Sequence, residues 1–222
     1  MAKGISRELL IHTALQIVDR DGADGLSMRK LGAELHVDPM TAYRHLPSKE
    51  ALLDGVMEAV VSEVDLEVDV TLPWQDQLRQ LIQADVDALL AHPNVLPSLA
   101  RRPLVTPGSL RLVERAFEIM SGARIPLRDA ALATNAVGMI TTNIALAISE
   151  SRAKTPQPTA EAAQSLFARL PRDRFPLIVQ TIETGQFIES HVQVLDFAVD
   201  ALIGRLELAR ASVVDGAREP SG

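Results

Sequence analysis

Apolar residues recur along the chain at intervals of three and four and hardly ever alternate, a pattern that predicts helices and an all-α fold. Ser6 can cap a first helix running to about Arg20, with Leu10, Ala14, Ile17 and Val18 on one side and Gly22 to end it. Ser27 caps a short second helix whose Met28, Leu31 and Leu35 share a face, and His36-Val37 forms a turn. Asp38 caps a third short helix with Pro39 at its first position, where the missing N–H costs nothing. Pro47 stops it and Ser48 caps a fourth, in which Leu52, Leu53, Val56, Met57, Val60, Val61 and Val64 recur at helical spacing.

The stretch "DLEVDVTLP" at 65–73 breaks this periodicity and marks a boundary between a domain at 1–64 and a larger one at 65–222. Further helices are predicted at 74–91, near 94–101, at 107–122 after a Thr106 cap, and at 126–152, 160–170, 175–184 and 187–211. "AKTPQPTA" reads as a loop and the tail "VDGAREPSG" as frayed.

A short helix, a tight turn and a second short helix, buttressed by a longer one, have the layout of a helix-turn-helix unit. The second short helix of such a unit enters the DNA major groove. It holds the single tyrosine of the chain, Tyr43, beside Arg44, His45 and Lys49. A core would want the ring without the charges, and a solvated face the charges without the ring. Tyr, His, Ser and Lys donate to phosphates, whereas Arg and Thr reach base edges.

Charge sharpens this reading. The net charge is −7, which taken alone argues against a phosphate-bearing partner. Residues 1–50, however, balance seven Lys/Arg against seven Asp/Glu, and 27–49 carries four cations against two anions. The acidity belongs to the C-terminal part. The chain has no cysteine and its N-terminus lacks a long apolar stretch, which fits a cytoplasmic protein. The apolar region at 130–148 is interrupted by Thr134, Asn135, Thr141, Thr142 and Asn143 and is expected to be a buried helix, with no membrane partner.

"LSMRKLGAELHVDPMTAYRHLPSKEALLDGV" closely resembles the DNA-binding region of the tetracycline-repressor (TetR) family of bacterial regulators. The resemblance rests on the apolar residues of the second helix, the Thr-x-Tyr-x-His run and the Ser-Lys-Glu-x-Leu-Leu start of the fourth. It implies DNA contact by Ser27, Arg29, Thr41, Tyr43, His45 and Lys49, with Met40 and Arg44 at positions that select sequence. His36 stands where many members have Gly, and Pro47 where others have Gly or a polar residue.

The segment "WQDQLRQLIQADVDALLAHPNVLPSLARRP" and the helices after it resemble, more weakly, the ligand-binding and dimerisation domain of the subgroup nearest the tetracycline repressor. The resemblance implies a homodimer joined by its last long helices. Residues 192–209 are apolar around most of the helix circumference, so a terminal helix there needs cover on both sides. Leu195, Leu202 and Leu206 are expected to hold the dimer.

An unknown small-molecule effector is expected among the helices at 74–91, 107–122 and 126–152, oriented by Asn135, Thr142 or Asn143, with Trp74 and His92 as further candidates. Each polar residue could equally bond a carbonyl one turn back. Pro97 falls about where the family's metal-binding His stands and Asp85 replaces an aromatic, which argues against a tetracycline–magnesium ligand. No cofactor or metal is implied. No Gly-rich phosphate loop, GxSxG, HExxH or Glu-x-x-His run is present, and the histidines at 12, 36, 45, 92 and 191 lack metal-ligand spacing, so an enzyme is not expected. The expected function is a one-component transcriptional regulator, a repressor bound to double-stranded operator DNA and released by its effector. The alternative is a helical homodimer that binds a small molecule or a protein and has lost DNA binding.

Overall fold

The computed structural model describes residues 5–100, 106–152, 165, 167–184 and 191–216. Among these the chain forms ten α-helices and one 3₁₀ turn, with no strand. They are α1 (Arg7–Asp21), α2 (Met28–Glu34), α3 (Pro39–Tyr43), α4 (Lys49–Ser62), α5 (Trp74–Ala91), α6 (Leu96–Leu99), α7 (Pro107–Gly122), α8 (Leu127–Arg152), α9 (Pro176–Glu183) and α10 (His191–Gly216). The loop "AKTPQPTA" lies outside the described residues, as do 160–164 and 166 of the helix expected at 160–170. α10 runs on to Gly216, into the tail expected to fray.

The starts are set by the caps that the sequence carries. Ser6, Ser27, Asp38 and Ser48 each accept a backbone N–H in the first turn of α1 to α4. Thr106 forms a reciprocal capping box with Ser109 at α7. Gly22 ends α1 at φ 74°, a left-handed backbone that glycine takes without strain. His36 takes the same region, at φ 55°, in the turn between α2 and α3. That turn closes on Gly32, whose carbonyl accepts from Val37 N–H at 2.9 Å, and a Cβ at Gly32 would stand 2.8 Å from the Val37 oxygen.

Two apolar clusters form. The first joins α1 to α4 through Leu10, Ile17, Leu31, Ala42, Leu52 and Val56. It does not close at Val64, because Leu89, Val95, Leu96, Leu99 and Ala145 complete it from α5, α6 and α8. The second gathers α5, α7, α8 and α10 around Leu78, Ile82, Ile119, Met120, Ile144 and Leu206. The N-terminal unit is therefore seated on the C-terminal one by shared core, and a tilt of one disturbs the packing of the other.

α8 carries a segment, Leu127–Glu150, long and apolar enough to cross a bilayer. It packs on α5, α6, α7 and α10 along one face, through Ala130, Ala133, Ile144, Ala145 and Ile148, but only 22% of its apolar window is buried, so it is less enclosed than the buried helix expected. Its other side leaves Leu132 and Met139 exposed.

Candidate DNA interface and effector cavity

α3 is held by two apolar residues on its inner side. Ala42 is fully buried and Leu46 nearly so, with Leu46 N–H donating to the Ala42 carbonyl at 3.0 Å. Residues one step away then face outward: Met40 is 66% and Tyr43 43% exposed, and Arg44 and His45 are exposed beside them. Tyr43 is thus no core residue. Thr41 and Lys49 are half-buried, while Ser27 and Arg29 are exposed at the start of α2. The Ser27 hydroxyl accepts from Lys30 N–H at 3.2 Å, so its oxygen also caps α2.

α2 is tied to α1 away from this face. Arg20 pairs with Glu34 at 2.6 Å and with Asp21 at 2.9 Å, and Lys30 pairs with Asp21 at 2.8 Å. These ligations hold the Asp21 carboxyl below its ordinary range, with Lys30 the largest cause. Surface pairs of this kind contribute little stability each. They leave Arg29, Arg44 and Lys49 outside any ion pair among the described residues.

Two polar joints connect this unit to the rest. Glu58 of α4 accepts the Gly108 N–H at 2.9 and 3.0 Å, occupying the amino end of α7 next to a Pro107 that has no N–H. A Cβ at Gly108 would meet Ser62 Oγ at 2.7 Å and Glu58 Oε2 at 3.0 Å, so a larger residue there would require these two side-chain ends to move aside. At the second joint His92, just past α5, places Nδ1 2.9 Å from Asp19 Oδ2 and Nε2 2.9 Å from Glu63 Oε2. Partial burial pulls the imidazole down, but the hydrogen bonds and charges of Glu63 and Asp19 outweigh it and its pKa stands above the ordinary histidine value.

Between α4, α5, α7 and α8 lies a cavity of about 610 Å³, of the size that takes a drug-like molecule. Its wall is mostly Leu, Val, Ile, Ala and Met, and Val61 brings α4 itself to the wall. Asp85 stands in that wall at 9% exposure and accepts the Thr141 hydroxyl at 2.8 Å. Burial pushes the Asp85 carboxyl up, against a smaller lowering by Thr141.

The expected ligand residues divide. Thr142 lines the cavity and makes no side-chain hydrogen bond among the described residues. Asn135 and Asn143 reach the cavity's edge but are exposed, and each amide donates one turn back, to the Ala131 carbonyl at 2.8 Å and the Met139 carbonyl at 2.7 Å. Neither Trp74 nor His92 lines the cavity, which corrects the expectation for both. Trp74 packs on the second cluster with its indole N–H buried and without a partner, and His92 serves the joint just described. Asp85, noted in the sequence only as replacing a family aromatic, was not expected as a polar group of the cavity wall. Its signal was available: it sits on the same helical face as Leu78, Leu81, Ile82 and Leu89, where a leucine would be expected.

Of the three residues expected to hold a dimer, two lie in the chain's own core. Leu195 and Leu206 are 5% and 1% exposed and turn into the chain's own core with Val199 and Ile203. Leu202 is half-buried against the same cluster and touches the cavity. The opposite face of α10 carries Phe197, Ala201, Gly204 and Leu208 at spacings of four, three and four, all exposed.

Comparison with known proteins agrees with this architecture. Residues 10–56 match the family profile described as "Bacterial regulatory proteins, tetR family", and residues 71–200 match "Tetracyclin repressor-like, C-terminal domain". The chain belongs to the TetR family. Among its relatives is the tetracycline repressor protein class D of Escherichia coli, 31% identical over 163 residues that span 70% of this chain and 72% of the relative. An HTH-type transcriptional regulator of Saccharopolyspora erythraea is 30% identical over 60% of this chain and 56% of its own length. The transcriptional repressor DrrR1 of Streptomyces coeruleorubidus is 25% identical over 82% of this chain and 66% of its own. The matched region thus spans somewhat over half to two thirds of these last two TetR relatives. In structure, apo ActR of Streptomyces coelicolor superposes with a TM-score of 0.84 at 23% identity, covering 96% of this chain and all of that one. ActR in complex with actinorhodin gives 0.81 at 23% identity over 93% and 96%. At that identity the likeness shows a shared TetR fold.

Proposed function

We propose that this TetR-family chain is a non-enzymatic, homodimeric transcriptional repressor of the cytoplasm that binds double-stranded operator DNA and is released by a small-molecule effector. The observation that carries this reading is a cavity whose wall includes α4, the helix that follows the exposed α3. A ligand there bears on Val61, and the Glu58–Gly108 and His92 joints link the same helices to the rest of the chain. Ligand would favour a state in which the two α3 helices of a dimer no longer match successive major grooves, about 34–36 Å apart. The exposed Met40, Tyr43, Arg44 and His45 tell against a module that has lost DNA binding. The named repressors among the relatives and the actinorhodin complex of ActR support both halves of the reading.

In the dimer, the Phe197–Leu208 face of α10 would meet its symmetry mate, joined by the exposed Leu132 and Met139 of α8. Domain roles would follow the break at 65–73, with DNA recognition before it and effector binding and assembly after it. The direct test is a gel shift with the promoter DNA of the adjacent gene. Specific retardation at low nanomolar to micromolar protein supports the proposal, and retardation no stronger than with random DNA removes it.

A further inference from the structure

We infer that Asp85 makes the cavity selective for an apolar effector carrying one basic nitrogen, whose ammonium N–H groups seat on the Asp85 carboxylate beside Thr141. This rests on the cavity being the effector site proposed above.

Asp85 is out of place on its helix. The buried face of α5 is Leu78, Leu81, Ile82, Val86 and Leu89, and Asp85 is buried among them. A carboxyl in such a setting destabilises the fold unless something pairs with it. No Lys, Arg or His stands in the described cavity wall, and Asp85 is its only ionisable side chain. Its one hydrogen bond is to Thr141, received at Oδ2. Oδ1 has none, yet it is not sealed in protein: the only fully buried side-chain polar atom without a partner among the described residues is Trp74 Nε1. Oδ1 therefore opens to the cavity with a free acceptor site.

The partner that this arrangement lacks is a cation with N–H donors. An anionic effector would set like charges side by side wherever Asp85 is ionised, and a wholly apolar one would leave the carboxyl without a partner while removing its access to water. The proton balance is simple. Where the empty cavity holds Asp85 as the acid, a bound ammonium leaves a carboxylate–ammonium pair and one proton passes to solvent; a free amine instead takes the Asp85 proton. Thr141, 1% exposed, keeps its hydroxyl on Oδ2 and so holds the carboxyl plane while Oδ1 receives the ligand.

Three fluorescent probes of one shape test this: anthracenylmethylamine, cationic at pH 7, the neutral anthracenylmethanol, and anthracenecarboxylate. The wild type is expected to bind the amine about tenfold or more tightly than the alcohol, the value of one hydrogen bond to a charged group, and the carboxylate weakest. Asp85→Asn keeps the shape and is expected to bind alcohol and amine alike; Asp85→Leu, which suits the apolar wall, should lose the preference too. Melting curves verify that each variant is folded. A wild type that binds the amine no better than the alcohol, or does not bind it, overturns the inference, as does a folded Asp85→Asn that keeps the preference. The gel shift on the wild type reads the regulator proposal separately, so a chain that selects the amine but ignores DNA would lose only that proposal.

Discussion

His92 Nδ1 lies 2.9 Å from Asp19 Oδ2, joining the turn after α5 to the last turn of α1. The other ring nitrogen meets Glu63 at the end of α4, so one imidazole links three segments that are far apart in sequence. Because the folded pKa is raised above the ordinary 6.5, the protonated ring stabilises the folded state fully below that value and loses this effect as pH rises through the folded pKa. The melting temperature of wild type should therefore exceed that of His92→Gln most clearly near pH 5.5, with the gap narrowing by pH 9. An equal gap at both pH values would mean that the ring contributes by packing alone.

The DNA face makes a separable pair of expectations. Lys49 should meet a phosphate, so Lys49→Ala should weaken binding to all sequences and reduce the salt slope by about one per subunit. Arg44 should read a base edge, so Arg44→Ala should cost about 1–3 kcal/mol at one base step and relax preference there. Competition assays with operator and random DNA over a salt series distinguish them. Wild-type binding by both variants would show that α3 is not the recognition helix.

Glu58 is expected to transmit the effector signal. Its carboxylate caps α7 through Gly108 while its own helix carries Val61 into the cavity wall. Glu58→Ala should lose about 1–2 kcal/mol of stability and loosen effector-dependent release, whereas Glu58→Gln, which keeps an acceptor oxygen, should retain most of both. The readout is operator binding against ligand concentration, measured with denaturant melts on the same samples. Unchanged release in a destabilised Glu58→Ala would restrict the residue to capping.

How far the sequence foretold this follows from the range of each signal. Caps are local, so Ser6, Ser27, Asp38, Ser48 and Thr106 could be read directly and the helices start where those residues stand. The contact set on α3 came from the family resemblance; Met40, Tyr43, Arg44 and His45 of it are exposed, whereas Thr41 is half-buried. His92 was read as a ligand candidate because its partners lie 73 and 29 residues away and leave no mark on its neighbours. Asn135 and Asn143 offered two equal outcomes, a cavity contact or a bond one turn back, and in the folded chain both make the bond one turn back. Asp85 was seen as a departure from a family aromatic when its more telling feature was an acid on an otherwise apolar face.

α10 shows the limit of periodicity most clearly and supplies the last test. Both of its faces are apolar, so spacing alone cannot say which one the chain keeps for its own core. Leu195, Val199, Ile203 and Leu206 fill the inner face, supported by Arg79–Asp200 at 2.5 Å and Arg205–Asp129 at 2.9 Å. Phe197, 76% exposed, and Leu208, 67% exposed, lie on the outer face, with Gly204 between them and nothing within 4 Å of where its Cβ would be. An outer apolar face with room for close approach suits a symmetric helix partner. Two charge insertions on this one helix should then act differently. Phe197→Glu should give a folded monomer, because the carboxylate stays in water once the partner leaves. Leu206→Glu buries an unpaired carboxylate in the core and should lower stability by several kcal/mol or prevent folding. Light scattering reports the mass and circular dichroism the fold. A Phe197→Glu variant that remains dimeric at micromolar concentration would place the interface elsewhere, and a monomeric wild type would remove the dimer altogether.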